Sequence, residues 1–306
     1  MTLFTCKTPI VLIIFNRPNK VAKVIELLRC VQPRDLFVIA DGPRLNVESD
    51  FKNCANARRI IDKIDWECEI NKNYSDQNLG CSKRVSSGLN WVFENTSEAI
   101  ILEDDCIPDA SFFKFAQELL EWYRNDSRVF SISGQNVQFG RQKTDYDYYF
   151  SRYNHCWGWA TWRRAWSHFD YDMALWNEVK RLNLLYDLLG NKRYAKSWER
   201  TFDYVLKGEG IDSWAFRWTF SCWIQNALHI TPSLNLVTNV GHGENATHTS
   251  KKNVFSEQPA QEIVFPIKHP PFVIRDSRAD EFTQKTLFNY HPTIIEKVCQ
   301  KIQSLF

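Results

Sequence analysis

A short apolar run, Ala99-Ile100-Ile101-Leu102, ends in three consecutive carboxylates, Glu103-Asp104-Asp105, followed by Cys106, Ile107 and Pro108. A run of four to eight apolar residues closed by a breaker predicts a buried strand, parallel and covered on both faces. In open α/β sheets, ligands sit beyond the carboxyl ends of the strands. Three adjacent acids at such an end repel one another and are costly unless a cation neutralises them. A hard divalent ion, Mg²⁺ or Mn²⁺, meets that need, because it takes one or two carboxylates and keeps positions open for phosphate oxygens. A solvated acidic turn is the plainer alternative, and the segments on either side weigh against it.

Before the acidic stretch the chain alternates between two periods. Pro9 to Phe15 predicts a strand that stops at Asn16-Arg17-Pro18. Pro18 falls where a first-turn proline is tolerated, and Val21, Val24, Ile25 and Leu28 recur at helical spacing. Leu36 to Ala40 predicts a second strand, ending in Asp41-Gly42-Pro43-Arg44, and a helix follows from Asn53 to Ile64. Trp66 to Ile70 predicts a third strand, and Asn78-Leu79-Gly80-Cys81 introduces a helix through Val85, Leu89 and Val92. This alternation predicts an α/β fold with a doubly wound, mostly parallel, Rossmann-like sheet. The polar strand ends Asn16-Arg17, Asp41-Gly42 and Glu103-Asp104-Asp105 then mark the nucleotide side. Neither G-x-x-x-x-G-K-[ST] nor G-x-G-x-x-G occurs, so an ATPase loop and an ordinary NAD site are unsupported. Gly80 is either a plain turn residue or part of that nucleotide side.

The 306 residues suffice for one large domain or a domain with an appendage, at an ordinary 44% hydrophobic content. We expect a nucleotide-binding half over 1–109, an acceptor-side and catalytic half over 110–255, and a C-terminal extension over 256–306. The net charge of +2 gives no reason to expect nucleic acid as a partner. Nine cysteines without a C-x-x-C pair argue against a zinc site or a disulfide framework and point to a reducing cytosol. Neither a signal peptide nor a membrane span is predicted.

After Pro108 the chain becomes rich in aromatics. Phe112 to Trp122 predicts an amphipathic helix, and Val129–Gly134 and Tyr148–Ser151 predict strands. Four tryptophans fall between Trp157 and Trp166, and Trp159, Trp162 and Trp166 share one face if the segment is helical. They are either a packed core face or a platform on which sugar rings stack, with Arg163 or Arg164 reaching phosphate. Asp212 either caps the helix beginning at Ser213 or Trp214, or serves beside Glu209 and Trp214 as a general base. His242 and His248 lie in a glycine-bearing loop from which either can reach a metal or a phosphate, or be incidental. Thr293 to Phe306 predicts a basic amphipathic helix, docked on the body or in peripheral contact with a membrane.

Taken together, Val11 to Pro18, Ala40 to Arg44, Asn78-Leu79-Gly80, Ile101 to Asp105 and Trp157 to Trp162 resemble glycosyltransferases of the GT-A fold. Within these the chain is most similar to bacterial relatives of the N-acetylglucosaminyltransferase I group. The resemblance implies a nucleotide-sugar donor, expected to be a UDP-sugar, and Mn²⁺ or Mg²⁺ on its diphosphate. It implies Asp105 as the metal ligand, Asp104 facing the ribose and Glu103 the donor sugar, while His242 is a further metal candidate from its own loop. Asn16, Arg17, Asp41 and Gly80 would line the nucleotide pocket, and Asp212 matches the place of the catalytic base. Trp157, Trp159 and Trp214 are the candidate acceptor platform. Without the N-terminal membrane anchor of the animal enzymes, the expected setting is the bacterial cytoplasm, at most peripheral to the inner membrane, with a glycan or lipid-linked glycan acceptor. Two alternatives remain. A sugar-nucleotide nucleotidyltransferase should carry a Gly-rich basic loop after its first strand, where this chain has Asn16-Arg17-Pro18. A non-catalytic carbohydrate-binding module would have no use for three clustered acids.

Overall fold

A computed structural model describes residues 4–141, 144–208, 212–241 and 258–288. The chain opens with β1 (Ile10–Ile14), α1 (Pro18–Val31), β2 (Asp35–Ala40), α2 (Glu48–Ile61), β3 (Glu69–Tyr74), α3 (Cys81–Asn95) and β4 (Glu98–Glu103). Then come β5 (Cys106–Pro108), α4 (Ala110–Trp122), β6 (Val129–Ser133), β7 (Tyr148–Ser151), β8 (Trp159–Trp162) and α5 (Arg163–Trp166). A helical section follows, with α6 (Trp176–Arg181), α7 (Leu184–Leu189), α8 (Lys192–Lys207) and α9 (Trp214–Trp223). The last elements are β9 (Leu228–Pro232), β10 (Val237–Asn239) and α10 (Ser277–Thr283), which runs on into a π-helical turn.

Eight strands form one sheet in the order β3-β2-β1-β4-β8-β6-β9-β7. The strands β3, β2, β1 and β4 are parallel, β8 enters antiparallel between β4 and β6, and β9 is parallel to β6. At the far edge β7 is antiparallel to β9. The mostly parallel, two-sided sheet matches the expected class. Apolar residues of α1, α2 and α4 cover one face, packed on Ile10, Leu12 and Ile14. Those of α3, α5 and α9 cover the other, packed on Val11 and Ile13. Every residue of β1 is buried, as a strand covered on both faces requires.

Three expectations need correcting. The third strand lies over Glu69–Tyr74 rather than Trp66–Ile70. It is an edge strand with half-exposed polar positions, so no apolar run marks it. The tryptophan segment is not a helix throughout. Trp159–Trp162 is a strand pairing Glu98↔Trp162 and Ser131↔Thr161, and only Arg163–Trp166 turns helical. Pro108 does not end all pairing, because β5 forms a small second sheet with β10.

The region α6 to α9 has its own aromatic core, in which Trp198 and Phe202 of α8 pack with Trp176, Phe220 and Trp223. Among the described residues no helix is long and apolar enough to cross a membrane. The described cysteines are all free. The predicted helix over Thr293 to Phe306 lies outside the described residues.

Candidate active site

Strands β1 and β4 end in register, Ile13 opposite Glu103, so the turn after β1 stands beside the acids after β4. Arg17 ends that turn as the residue before α1, and its guanidinium bridges two carboxylates. Its Nη2 is 2.6 Å from Asp104 Oδ1, and its Nη1 donates to Asp105 Oδ2 at 2.8 Å. The Phe15 amide donates to Asp104 Oδ2, and the Trp214 indole donates to Glu103. Burial, then mutual repulsion, pushes the Glu103 carboxyl well above its ordinary range. Burial pushes Asp104 up as well, against the pull of Arg17. For Arg17 itself, burial acts to lower the pKa, but Asp104 and Asp105 together outweigh it and hold the guanidinium charged. The first cation to meet the acids is therefore the chain's own.

The second sheet delivers another segment to Asp105. Val240 N donates to the Asp105 carbonyl at 2.9 Å, and Asn239 Nδ2 donates to its Oδ1 at 3.3 Å. A Cβ on Gly241 would lie 2.3 Å from Asp105 Oδ2, so only glycine lets the backbone pass this close. Lys20 Nζ donates to the Val240 carbonyl at 2.9 Å and ties α1 to the same segment. His242 and His248 lie outside the described residues.

On the other side, Asp41 at the end of β2 organises the loop before α3. Its carboxylate accepts from the backbone N–H of Gly42, Leu79 and Gly80 and from Asn78 Nδ2. Burial pushes Asp41 up, while these backbone donors favour its charged form. Gly80 then enters α3 at φ +80°. Asp212 accepts from Ser82 N at 3.0 Å, so it does cap a helix, but the helix is α3 and not the one that follows it in sequence. The residue preceding α9 is Ser213.

These groups line a cavity of about 410 Å³ that takes in Arg17, Asp41, Gly80, Glu103, Asp104, Asp105, Trp157 and Asp212. Residues singled out from distant parts of the sequence thus meet in one cleft at the strand ends. Other candidates fall elsewhere. Asn16 does not line the cavity, because its amide is spent on Asp50, which Arg44 also holds. Trp159 and Trp214 are buried and stack on each other with ring centres 5.5 Å apart, so neither offers a face to an acceptor. Arg163 and Arg164 donate to backbone carbonyls of Glu94, Thr96, Tyr123 and Arg124 rather than facing the cleft. Arg84, Asn239 and Gly241 line the cavity and were not anticipated. Asn239 and Gly241 stand just before the His242 loop, which is the one sequence signal that pointed near them.

Among the described residues no three His, Cys, Asp or Glu side chains are grouped to hold a metal. The donor set fits a divalent ion in one way only, with Asp105 as a single carboxylate and most positions filled by a ligand's phosphate oxygens. Arg17 Nη1 already holds Asp105 Oδ2, so such an ion would share that carboxylate with the guanidinium.

No family model matches the chain, and no curated protein matches it. Solved structures similar to it at low identity include the following two. The crystal structure of mouse xyloside xylosyltransferase 1 in its apo form is 12% identical with a TM-score of 0.37, over 72% of this chain and 83% of that one. That of UDP-glucose pyrophosphorylase complexed with UDP-glucose is 10% identical with a TM-score of 0.27, over 47% of this chain and 62% of that one.

Proposed function

We propose that this chain is a glycosyltransferase that moves a sugar from a nucleoside-diphosphate donor, a UDP-sugar, to a hydroxyl of a glycan or lipid-linked glycan. The reading is carried by one observation. The Arg17-bridged acids and the separately anchored carboxylate of Asp212 share a single cleft at the carboxyl ends of parallel strands.

In this reading the donor lies over the ends of β1 and β2, with its diphosphate toward Arg17. A Mn²⁺ or Mg²⁺ held by Asp105 would supply a second positive charge to the leaving diphosphate. Arg17 stabilises negative charge as it develops there. Asp212, its orientation fixed by Ser82 N, takes the proton of the acceptor hydroxyl. The hydroxyl oxygen bonds to the anomeric carbon as the bond from that carbon to the phosphate oxygen breaks, and the configuration inverts. Trp157, the half-buried tryptophan of the cleft, is the remaining candidate for an acceptor contact.

A thermal-shift series with UDP, GDP and CDP, with and without Mn²⁺, tests the donor site, since a ligand bound to the folded state raises the melting temperature. A nucleotide-specific shift, followed by UDP release from a UDP-sugar that Asp212→Asn lowers at least ~100-fold, supports the reading. No shift with any nucleotide, or release of pyrophosphate instead of UDP, overturns it.

A further inference from the structure

We propose that the outer face of α8 is a docking surface for an anionic lipid bilayer. The helix buries Ala195, Trp198, Phe202 and Val205 in the aromatic core and turns its other side to solvent. On that side Arg193, Lys196, Arg200, Tyr204 and Lys207 are exposed and fall within about 80° of arc on a helical wheel. The stripe contains four cations and no acid. The two acids of the helix lie to one side of it, where Asp203 already meets Lys180 Nζ and the Trp176 indole. Among the described residues none of these four cations has an ion-pair partner. Yet the whole chain carries only +2, so the positive charge here is a local concentration.

Charge alone would suit any polyanion, and the neighbouring side chains decide between them. Tyr204 and Leu206 are 51% and 38% exposed in the last turns of α8. On α7, packed against it, Leu184 and Tyr186 are 43% and 36% exposed. An exposed tyrosine set among the cations, with exposed leucines on the flanking turns, matches a headgroup layer, which offers phosphate and shallow apolar depth together. Aliphatic side chains have no use on a nucleic-acid backbone. The docking stands on this face alone. Its purpose rests on the transferase reading: α8 ends at Lys207, close in sequence to Asp212, so a bilayer held there would bring a lipid-linked acceptor near the cleft.

The test is co-sedimentation of the full chain with vesicles of phosphatidylcholine, alone or mixed with phosphatidylglycerol. The expected result is binding only to the mixed vesicles, weakened by salt and reduced at least ~10-fold in Arg193→Glu/Lys196→Glu/Arg200→Glu. The corresponding triple Gln variant should lose part of the binding. Unchanged melting temperature and unchanged UDP shift show that fold and donor site persist, so failure here and failure of the transferase reading are separable. Equal binding to both vesicles, no binding, binding to RNA but not vesicles, or wild-type binding by the Glu variant each overturns the proposal. The last would assign membrane contact to another surface.

Discussion

A Cβ at Gly80 would lie 2.6 Å from Asp212 Oδ2. The glycine is needed twice, because its φ of +80° is also a conformation that side chains resist. Gly80→Ala must therefore displace the carboxylate or distort the entry to α3. The strained backbone alone should cost about 1–2 kcal/mol. We expect the variant to fold, to bind nucleotide nearly as wild type, and to lose turnover at least ~10-fold. Isothermal titration beside steady-state kinetics checks this. Turnover equal to wild type would show that the position of Asp212 does not matter to the chemistry.

Arg17 faces Asp104, which is only 1% exposed, so removing the guanidinium leaves a buried charge without its partner. Breaking such a pair from one side costs about 3–5 kcal/mol. Arg17→Ala should lose stability on that scale in denaturant unfolding, and Arg17→Ala/Asp104→Asn should recover a large part of it. Arg17→Lys should not substitute fully, because one ammonium lacks the planar fork that bridges two carboxylates. A double variant no more stable than the single one would mean that Asp104 is not the group Arg17 compensates.

The strands that frame the cleft were legible because each is a local apolar run. Pro9–Phe15, Leu36–Ala40 and Ala99–Leu102 needed nothing beyond their own residues. The edge strand over Glu69–Tyr74 was not legible, since its exposed positions carry no apolar pattern. Nor was β8, whose tryptophans fit helical spacing equally well and become a strand only by pairing with β4 and β6. In the cleft, residue types were readable but partners were not. Asp212 was recognisable as a candidate base, yet the amide that holds it belongs to Ser82, 130 positions earlier. The acids asked for a cation, and nothing in their own neighbourhood said that Arg17, 88 positions before Asp105, supplies one.

Two buried histidines make an acid-sensitive contribution to the stability of the fold. Burial lowers His155 to about 4 and His229, whose Nδ1 meets Ser131 Oγ, to about 3. Both stay neutral in the folded chain, whereas in the unfolded chain they take up protons below about pH 6.5. At these two sites the unfolded state then binds more protons, so their contribution to stability falls as pH drops from about 6.5 toward 4, opposed by the buried Glu103 and Asp104 carboxyls, which take up protons first in the folded chain. At about pH 5 each histidine should cost about 2 kcal/mol relative to neutral pH. Denaturant titrations should show His229→Asn sparing about 2 kcal/mol of the change between neutral pH and about pH 5, whatever the variant's stability at neutral pH. A change as large as that of the wild type would place the acid sensitivity elsewhere.

The two tryptophans on either side of Gly158 should behave differently when truncated. Trp159 is 1% exposed in the central strand β8 and stacks on Trp214, whose indole holds Glu103. Trp159→Ala should cost about 3–5 kcal/mol through the cavity it leaves. It should weaken donor binding only through the disturbed Trp214–Glu103 contact. Trp157 lines the cleft and is only partly buried against the core, so its removal should cost clearly less stability. If it stacks on the acceptor sugar, Trp157→Ala should raise the acceptor KM by about tenfold, the loss of roughly one ring contact, with the donor KM unchanged. Equal destabilisation by both truncations, with no change in either KM, would return Trp157 to the core and leave the acceptor face of the cleft without an aromatic platform.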